Sequence, residues 1–356
     1  MNIAMLKGFL IRKKIEAALF CCLDSEIESK SMSYFSGYNG IGCLIVPRSN
    51  EPFLVVPKME FEKAKKSGKA YLWKKGEGLF ETAVRIMKVK KAPMGVLGLE
   101  CRNLSFSAYK LIKKYVKCRI KDISQDCLAI RSIKKEDEIA KIRIACKIAD
   151  KILMRCVNSF RSFGTEADVE KFLHLETVKR GCKLAFRPIV ASGKNSSMPH
   201  YEPANTKISK GFCVIDFGVE YEGYNSDITR TIYLGNPSSK EQEIYNAVLR
   251  AEEEAIKSIK VGNKCCHANE IACSELGKHA KRFIHGLGHG IGLNVHELPS
   301  ISSKSADIFE DSIVFTIEPG VYFPGKFGIR IEDDILLRNG KVEILTNSPR
   351  NLIAKG

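Results

Sequence analysis

The stretch from Phe212 to Tyr233 constrains the fold more than any other part of this sequence. It consists of two apolar, β-rich runs that flank Glu220–Gly223, a segment suited to a hairpin turn. Each run carries one aspartate, Asp216 in the first and Asp227 in the second. If Tyr221–Glu222 form the loop, the aspartates lie directly opposite each other, with Cβ atoms about 4.5–5.5 Å apart. Like charges at this distance destabilise a sheet, so the pair requires a cation between them.

A second pair of acids behaves similarly. Glu318 ends the apolar run that begins at Ser312, and Glu332 lies inside the run Gly328–Leu337. A turn centred near Gly325 would bring the two glutamates together. A single acid in such a run is ordinarily a solvent-exposed strand residue. Four acids placed in apolar runs in this way are better explained as ligands of bound metal ions.

In the segment His285–Glu297, glycines alternate with other residues. The segment contains three of the chain's seven histidines, His285, His289 and His296. Each glycine costs a helix about 1 kcal/mol, so the repeated glycines favour an extended segment that a neighbouring backbone approaches closely. A fourth histidine, His200, ends the polar segment that begins at Ser192.

Four carboxylates and one imidazole form an oxygen-rich ligand set that suits Mn²⁺, Co²⁺ or Zn²⁺. Two divalent ions balance the charge of four carboxylates. Two metal ions about 3.5–4 Å apart activate water and polarise a carbonyl group. The residues alone therefore predict a two-metal hydrolase.

The pattern of elements predicts two domains. In residues 1–125, short strands alternate with amphipathic helices, which indicates a small α/β domain. In residues 126–356, a long helix opens at Glu136 and further helices accompany antiparallel strands, which indicates an α+β domain. The strands predicted in the first domain are Ala17–Leu23, Gly42–Pro47, Phe53–Pro57, Lys69–Trp73, Gly95–Glu100 and Arg119–Ile123. Its predicted helices are Ile3–Lys14, Lys58–Ser67, Glu77–Val89 and Ser105–Tyr115.

The net charge of +16 first suggests a nucleic-acid partner, but its distribution does not. Residues 1–125 carry 24 Lys and Arg against 11 Asp and Glu, whereas residues 126–356 carry 33 against 30. The excess therefore lies in the domain without recognisable chemistry and favours a solvated lysine-rich surface, with nucleic acid not the main partner.

Other features of the composition concern location. No apolar run approaches the roughly 18 residues needed to span a bilayer, so no membrane partner is expected. The N-terminal segment lacks a signal-peptide cleavage pattern. The 13 cysteines include no CxxC pair and mostly sit in apolar runs, as small hydrophobic residues of a reducing compartment do. A cytoplasmic location is therefore expected.

The motifs taken together resemble the pita-bread metallopeptidases, specifically the proline peptidases. His285–Glu297 resembles the signature of that family, and Thr316–Gly320 and Gly328–Asp334 resemble its partner motifs. The resemblance covers the whole chain. It implies a creatinase-type α/β N-terminal domain followed by an α+β pita-bread catalytic domain.

The resemblance also implies roles for individual residues. The metal ligands would be Asp216, Asp227, His289, Glu318 and Glu332. The catalytic residues would be His200, His296 and Glu318, the last of which would also move a proton. The substrate and its proline ring would be bound by Phe186, His285 and Arg330. Two divalent metal ions, with Mn²⁺ favoured over Co²⁺ or Zn²⁺, and a homodimeric assembly follow from the same resemblance.

The expected activity is that of an Xaa-Pro aminopeptidase of the aminopeptidase P type, which cleaves the bond preceding proline in peptides with proline at the second position. Xaa-Pro dipeptidase (prolidase) is the alternative, because the sequence does not reveal what blocks longer substrates. Methionine aminopeptidase is less favoured, since those enzymes usually lack the first domain and separate their two glutamates further. A non-catalytic pita-bread binding module is disfavoured because every ligand of the family has a counterpart here.

Overall fold

The computed structural model describes residues 2–24, 28–74, 76–90 and 95–355. The chain divides into two compact units, Met1–Arg131 and Ser132–Gly356. In the described part of the first unit, the helices are α1 (Asn2–Arg12), α2 (Lys30–Ser36), α3 (Phe61–Ser67), α4 (Leu79–Val89), α5 (Phe106–Tyr115) and α6 (Ser124–Ser132). The strands are β1 (Ala17–Cys22), β2 (Gly42–Pro47), β3 (Phe53–Val56), β4 (Ala70–Leu72), β5 (Val96–Leu99) and β6 (Arg119–Asp122).

The first unit is built on a sheet with the strand order β4–β3–β2–β1–β5–β6. Strands β1, β2 and β3 pair antiparallel, and the outer pairs are parallel. Successive side chains point to opposite faces of a strand, so Ala18 and Phe20 pack with α1 and α2, whereas Ala17 and Leu19 pack with α4 and α5. Helices thus cover both faces, which confirms the α/β architecture.

The second unit combines helices with mostly antiparallel strands, as expected for an α+β fold. Its helices in the described residues are α7 (Glu136–Asn158), α8 (Glu166–Val178), α9 (Ser239–Ser258) and α10 (Cys265–Leu276). Its first strands are β7 (Lys183–Leu184), β8 (Ile189–Ser192), β9 (Gly211–Phe217), β10 (Val219–Tyr221), β11 (Tyr224–Asn225), β12 (Ile228–Leu234) and β13 (Gly288–Gly290). The remaining strands are β14 (Glu297–Ile301), β15 (Ile313–Ile317), β16 (Gly320–Phe323), β17 (Phe327–Arg330), β18 (Asp333–Arg338), β19 (Lys341–Ile344) and β20 (Ala354–Lys355).

Local chemistry explains where the first helices of this unit begin. Helix α7 opens at Glu136, as predicted, and the side chain of Glu138 accepts a hydrogen bond from the backbone N–H of Lys135. Helix α8 is capped by Thr165, whose hydroxyl accepts from the backbone of Asp168 while that carboxylate accepts from Thr165 N–H. This reciprocal arrangement is a capping box.

The hairpin that carries Asp216 and Asp227 has a different register from the predicted one. Its two-residue turn is formed by Glu222 and Gly223, both with positive φ (48° and 84°), as type I′ turns require. The turn therefore lies one residue later than predicted, and Asp216 pairs with Thr229 rather than with Asp227. Because Asp227 is two residues before Thr229, it lies diagonally across from Asp216 on the same face of the sheet.

A second hairpin relates Glu318 to Glu332. Strand β15 pairs with β18 and β16 pairs with β17 in one continuous register, in which Ile317 faces Asp333 and Gly320 faces Arg330. Glu318 and Glu332 thus occupy matching positions where the hairpin bends between the two pairs of strands. The turn at its tip is centred on Gly325 (φ 69°), as the sequence predicts.

The glycines around His289 permit close backbone approach on both sides of β13. A Cβ atom on Gly288 would lie 2.0 Å from the carbonyl oxygen of Thr316, and one on Gly290 would lie 2.0 Å from that of Leu298. Strand β13 is correspondingly held between β14 and β15. This confirms the extended, closely packed segment predicted from the glycine spacing.

Most of the cysteines are buried, as their positions in apolar runs predict. All 13 cysteines are free thiols, and eight of them are buried. Within the described ranges, no helix has both the length and the apolar character needed to cross a bilayer.

Candidate metal centre

All ten residues singled out in the sequence line one cavity of about 480 Å³ in the second unit. The hairpins β9–β12 and β15–β18 and the segment around the glycine-rich strand β13 carry eight of them, while Phe186 lies before β8 and His200 lies between β8 and β9. The ten residues are Phe186, His200, Asp216, Asp227, His285, His289, His296, Glu318, Arg330 and Glu332.

Three of these side chains form a group that can hold a metal ion. One ligand atom from each of Asp227, His289 and Glu332 lies within 4.8 Å of the others. Asp227 immediately precedes β12, His289 is the central residue of β13, and Glu332 lies between β17 and β18. Glu332 is joined to β12 by a backbone bridge to Thr229, which holds it beside Asp227.

The other two candidate ligands lie at the edges of this group. Oε1 of Glu318 is 3.5 Å from Nε2 of His289, which is in turn 3.8 Å from Oδ2 of Asp227. Oδ2 of Asp216 instead accepts a hydrogen bond of 2.5 Å from Nη2 of Arg330. Four carboxylates are therefore gathered in one cavity, with a single guanidinium against one of them.

Burial makes this concentration of negative charge unfavourable. Burial, and then repulsion from Glu332 and Asp216, raises the pKa of Asp227 well above its ordinary value. Burial and the neighbouring acids raise the pKa of Glu332 in the same way. The pKa of Glu318 is raised to about 8, mainly by burial and secondarily by Asp216, against the lowering effect of Arg330. A cation among these groups would relieve the repulsion.

Two further observations indicate that these residues fit a divalent metal ion. Oδ1 of Asp216 and Oδ1 of Asp227 are buried and have no hydrogen-bond partner among the described residues, although buried carboxylate oxygens normally have one. In addition, Nδ1 of His289 lies 3.2 Å from the carbonyl oxygen of Gly290. A backbone carbonyl can only accept, so Nδ1 carries the proton and donates a hydrogen bond to it, which leaves the Nε2 lone pair directed toward the acids.

The His289 ring is also neutral, as a metal ligand must be. Burial, and then the neighbouring His296, lowers its pKa to about 3. At neutral pH the imidazole therefore carries a lone pair that is available for coordination.

Several residues that the sequence did not single out hold the candidate ligands in place. The Thr229 hydroxyl donates to Oε2 of Glu332 (2.6 Å) and accepts from Nε of Arg330 (3.1 Å). The carboxylate of Asp334 accepts a hydrogen bond of 2.9 Å from the backbone N–H of Asp227. The sequence feature that could have identified Thr229 is its position two residues after Asp227, which places both side chains on the same face of the sheet.

Beside the candidate ligands, Tyr322 connects His285 to Arg330. Its hydroxyl is 2.9 Å from Nε2 of His285 and accepts from Nη1 of Arg330 at 2.8 Å. Nδ1 of His285 is 2.8 Å from the carbonyl oxygen of Gly286, so the Tyr322 hydroxyl donates to Nε2. Burial, and then Arg330, lowers the pKa of His285 to about 4, so this ring is also neutral. No sequence pattern singled out Tyr322.

His200 and His296 are exposed to the open part of the cavity, whereas His285 and His289 are partly buried. The ring of His296 lies 4.3 Å from that of His289, measured between centroids. The loop before His200 is anchored by the buried carboxylate of Glu166, which accepts from the backbone N–H of Ser192 (2.7 Å) and the hydroxyl of Tyr201 (2.7 Å).

Family models match both units of the chain. Residues 140–339 match Metallopeptidase family M24, and residues 3–133 match the Creatinase/Prolidase N-terminal domain. These matches agree with the family resemblance carried by the sequence motifs.

Individual relatives are similar over nearly the whole chain. The Xaa-Pro dipeptidase of Pyrococcus furiosus is 36% identical over 330 residues, which is 90% of this chain and 92% of the relative. The solved structure of an Xaa-Pro dipeptidase from Bacillus anthracis has a TM-score of 0.92 and 30% identity, and covers 99% of both chains. That of an X-Pro aminopeptidase from Thermotoga maritima MSB8 has a TM-score of 0.88 and 32% identity, and covers 98% of this chain and 100% of that chain.

Together with the cavity, these similarities identify the architecture as a creatinase-type N-terminal domain followed by a pita-bread catalytic domain. The chain therefore belongs to metallopeptidase family M24 and is a metal-dependent hydrolase.

Proposed function

We propose that this protein is an Xaa-Pro dipeptidase, which hydrolyses the peptide bond preceding proline in dipeptides. The observation that carries the proposal is the convergence of four carboxylates and four histidines on one cavity, in a chain similar throughout its length to relatives named Xaa-Pro dipeptidase. The sequence motifs were interpreted as favouring the aminopeptidase activity. The names of the relatives support its alternative, the dipeptidase, better.

Membership of the M24 family implies divalent metal ions. In the proposed site, two ions would be held by Asp216, Asp227, His289, Glu318 and Glu332, and Mn²⁺ is the favoured metal, ahead of Co²⁺ and Zn²⁺. When bound, such ions polarise a carbonyl group and lower the pKa of water.

The residues of the chain supply the proton transfer and the contacts to the scissile bond. Glu318, whose carboxyl group holds its proton up to about pH 8 when no metal is bound, is placed to move a proton beside His289. His200 and His296 face the open cavity, where each ring is placed to donate a hydrogen bond to the carbonyl oxygen of the bond that breaks.

Specificity for proline requires contacts with its ring. An Xaa-Pro bond has no amide N–H, so the chain cannot hold such a substrate as an extended strand in the way ordinary peptidases do. Phe186 offers an aromatic surface at the cavity for the proline ring. Arg330 and His285, joined through Tyr322, offer polar contacts for the substrate.

Substrate length tests the proposal most simply. Full-length protein loaded with Mn²⁺ is assayed with an Xaa-Pro dipeptide and the matching Xaa-Pro-Yaa tripeptide, and an Xaa-Ala dipeptide serves as the control for proline specificity. We expect kcat/KM to be at least about tenfold higher for the Xaa-Pro dipeptide than for either other peptide. Equal or faster cleavage of the tripeptide would contradict the dipeptidase assignment.

Xaa-Pro aminopeptidase is the second candidate. It is favoured by the similarity to the solved X-Pro aminopeptidase of Thermotoga maritima, and preferred cleavage of the tripeptide would identify it. The homodimeric state and the cytoplasmic location expected from the sequence stay predictions.

A further inference from the structure

A buried ion pair lies beside the loop that carries His296. Nζ of Lys134 is 3.0 Å from Oε2 of Glu297, and each side chain is only 1% exposed. Glu297 directly follows His296 in the chain. Burying two charges costs solvation free energy, and the mutual attraction of the charges barely offsets this cost. The presence of the pair is therefore better explained by the local geometry that it fixes than by a gain in stability.

The Glu297 carboxylate uses its two oxygens in different directions. Oε2 contacts Lys134, while Oε1 accepts a hydrogen bond of 2.9 Å from the backbone N–H of Asn294, within the same loop. Gly292 leaves the space for this arrangement, since a Cβ atom there would lie 2.7 Å from Oε2 of Glu297 and 3.0 Å from Nζ of Lys134. The loop is therefore folded around the ion pair.

The other end of the pair is fixed to the sheet. The backbone N–H of Lys134 donates to the carbonyl oxygen of Ser312 (2.7 Å), and Ile133 forms a backbone bridge with Ile313 at the start of β15. Strand β15 leads directly to Glu318. The ion pair thus connects the His296 loop to the strand that ends at a proposed metal ligand.

We propose that Lys134 and Glu297 are positioning residues for His296. Through the Asn294 contact and the chain connection to Glu297, they hold the His296 ring against the His289 ring before substrate binds. The inference rests on the proposed function, in which His296 contacts the carbonyl of the scissile bond. It assigns a catalytic consequence to a lysine that does not line the cavity.

A double-mutant cycle on metal-loaded, full-length protein tests this coupling. The variants are Lys134→Met, His296→Ala and their combination, each assayed for kcat and KM with an Xaa-Pro dipeptide. We expect Lys134→Met alone to lower kcat by about 10- to 100-fold, with KM nearly unchanged, because a displaced catalytic group loses transition-state contacts. In the His296→Ala background the same substitution should lower kcat by less than about threefold. Equal losses in both backgrounds would overturn the proposal.

A second variant separates positioning from folding. Lys134→Met leaves the Glu297 carboxylate buried without its cation, whereas Lys134→Met combined with Glu297→Gln is neutral and keeps an oxygen for Asn294. We expect this double variant to recover thermal stability while kcat stays reduced. Recovery of kcat together with stability would contradict a positioning role. Leu276→Ala, a buried position in α10 outside the cavity, is the control for destabilisation alone and should keep kcat.

Amide hydrogen exchange provides a readout that does not depend on activity. In metal-free protein, the segment 289–298 should be protected in wild type and should exchange at least about tenfold faster in the neutral double variant, but not in Leu276→Ala. If the wild-type protein fails to cleave Xaa-Pro dipeptides, the proposed function fails and exchange alone decides the anchoring. Unchanged exchange would overturn the positioning proposal at any level of activity.

Discussion

A single hydroxyl group, that of Thr229, connects two charged residues of the candidate metal centre. It donates to Glu332 and accepts from Arg330, and both partners are at least 97% buried. Replacement by valine keeps the shape but leaves both partners short of one hydrogen bond. We expect Thr229→Val to weaken metal binding by about 10- to 100-fold, as losing an outer contact of a metal ligand typically does. Competition with a metal chelator measures this affinity.

The matched control is Thr177→Val. Thr177 is equally buried, and its hydroxyl donates to the carbonyl oxygen of Leu173 within α8, outside the cavity. This variant should change thermal stability at most modestly and leave metal affinity at the wild-type value. Equal metal affinity in the Thr229→Val variant and the wild type would show that Glu332 does not depend on the hydroxyl.

The three consecutive acids at 332–334 have three different roles. Glu332 faces the cavity, Asp333 accepts from Nη2 of the buried Arg230 (2.6 Å), and Asp334 accepts from the backbone N–H of Asp227. Arg230 also donates to the carbonyl oxygen of Glu332 (2.6 Å). The acids that do not face the cavity therefore hold the backbone of those that do.

The raised pKa of Glu318 predicts how metal-free protein responds to pH. Its carboxyl group titrates near 4.5 ordinarily and near 8 in the folded chain, so between these values the folded state binds more protons than the unfolded state. The free energy of unfolding then falls as pH rises. The lowered pKa values of His285 and His289 act below about pH 6.5, so the interval from pH 6.5 to 8 reports mainly on the acids.

We therefore expect the thermal midpoint of chelator-treated protein to fall by a few degrees between pH 6.5 and 8. In Glu318→Gln the decline should be smaller, because one titrating group is gone. Added Mn²⁺ should reduce the decline in the wild type, since metal binding replaces the protons. A wild-type midpoint that is constant or rises over this interval would contradict the raised pKa.

Among the elements, strand β13 is placed where only glycine fits at two of its three positions. A Cβ atom on Gly288 would lie 2.0 Å from a backbone oxygen of β15, which cannot move aside as a flexible side chain can. Gly288→Ala should displace His289 and abolish detectable metal binding, with a loss of stability of about 2 kcal/mol or more from overpacking. Calorimetric metal titration and thermal unfolding measure the two effects.

Gly164→Ala is the control, because among the described residues a Cβ atom there would meet only Oδ2 of Asp168, at an ordinary contact distance of 3.5 Å. It should keep wild-type metal binding. If Gly288→Ala also bound metal normally, the close approach of β13 and β15 would not be what positions His289.

Sequence patterns located most elements because their signals are local. In the first unit the predicted strand Gly42–Pro47 agrees with β2 at both ends, and the other predicted strands agree within about a residue at each end. The hairpin register failed because turn type depends on which residues adopt positive φ, and Glu222 does so here beside Gly223. The short helix α2 was missed because seven residues show too little periodicity, although Ser29 and Gly37 cap it.

The residues of the candidate site were foreseeable to different degrees. Acids in apolar strands and histidines between glycines stand out in a sequence because their chemistry conflicts with their surroundings. Tyr322 and Lys134 do not, since a tyrosine in a strand and a lysine before a helix are ordinary. Their roles depend on partners 8 and 163 residues away, Arg330 and Glu297, that only the folded chain brings near.

For the whole molecule, the net charge of +16 makes a prediction about substrate charge. A positively charged protein attracts anionic substrates and repels cationic ones at low ionic strength. We expect kcat/KM to fall by roughly a few-fold for Glu-Pro and to rise slightly for Lys-Pro as salt increases from about 10 mM to 0.5 M. Identical salt dependence for the two dipeptides would leave the lysine excess as a solvated surface without a steering role.

Metal titration of the metal-free protein, with bound metal and hydrolysis of an Xaa-Pro dipeptide followed together, tests the central claim most directly. We expect two Mn²⁺ ions to bind per chain, hydrolysis to appear as they bind, and both to be lost in Asp227→Asn. Metal saturation without any hydrolysis of the dipeptide, or hydrolysis that survives complete metal removal, would contradict the assignment of this cavity as a two-metal Xaa-Pro dipeptidase site.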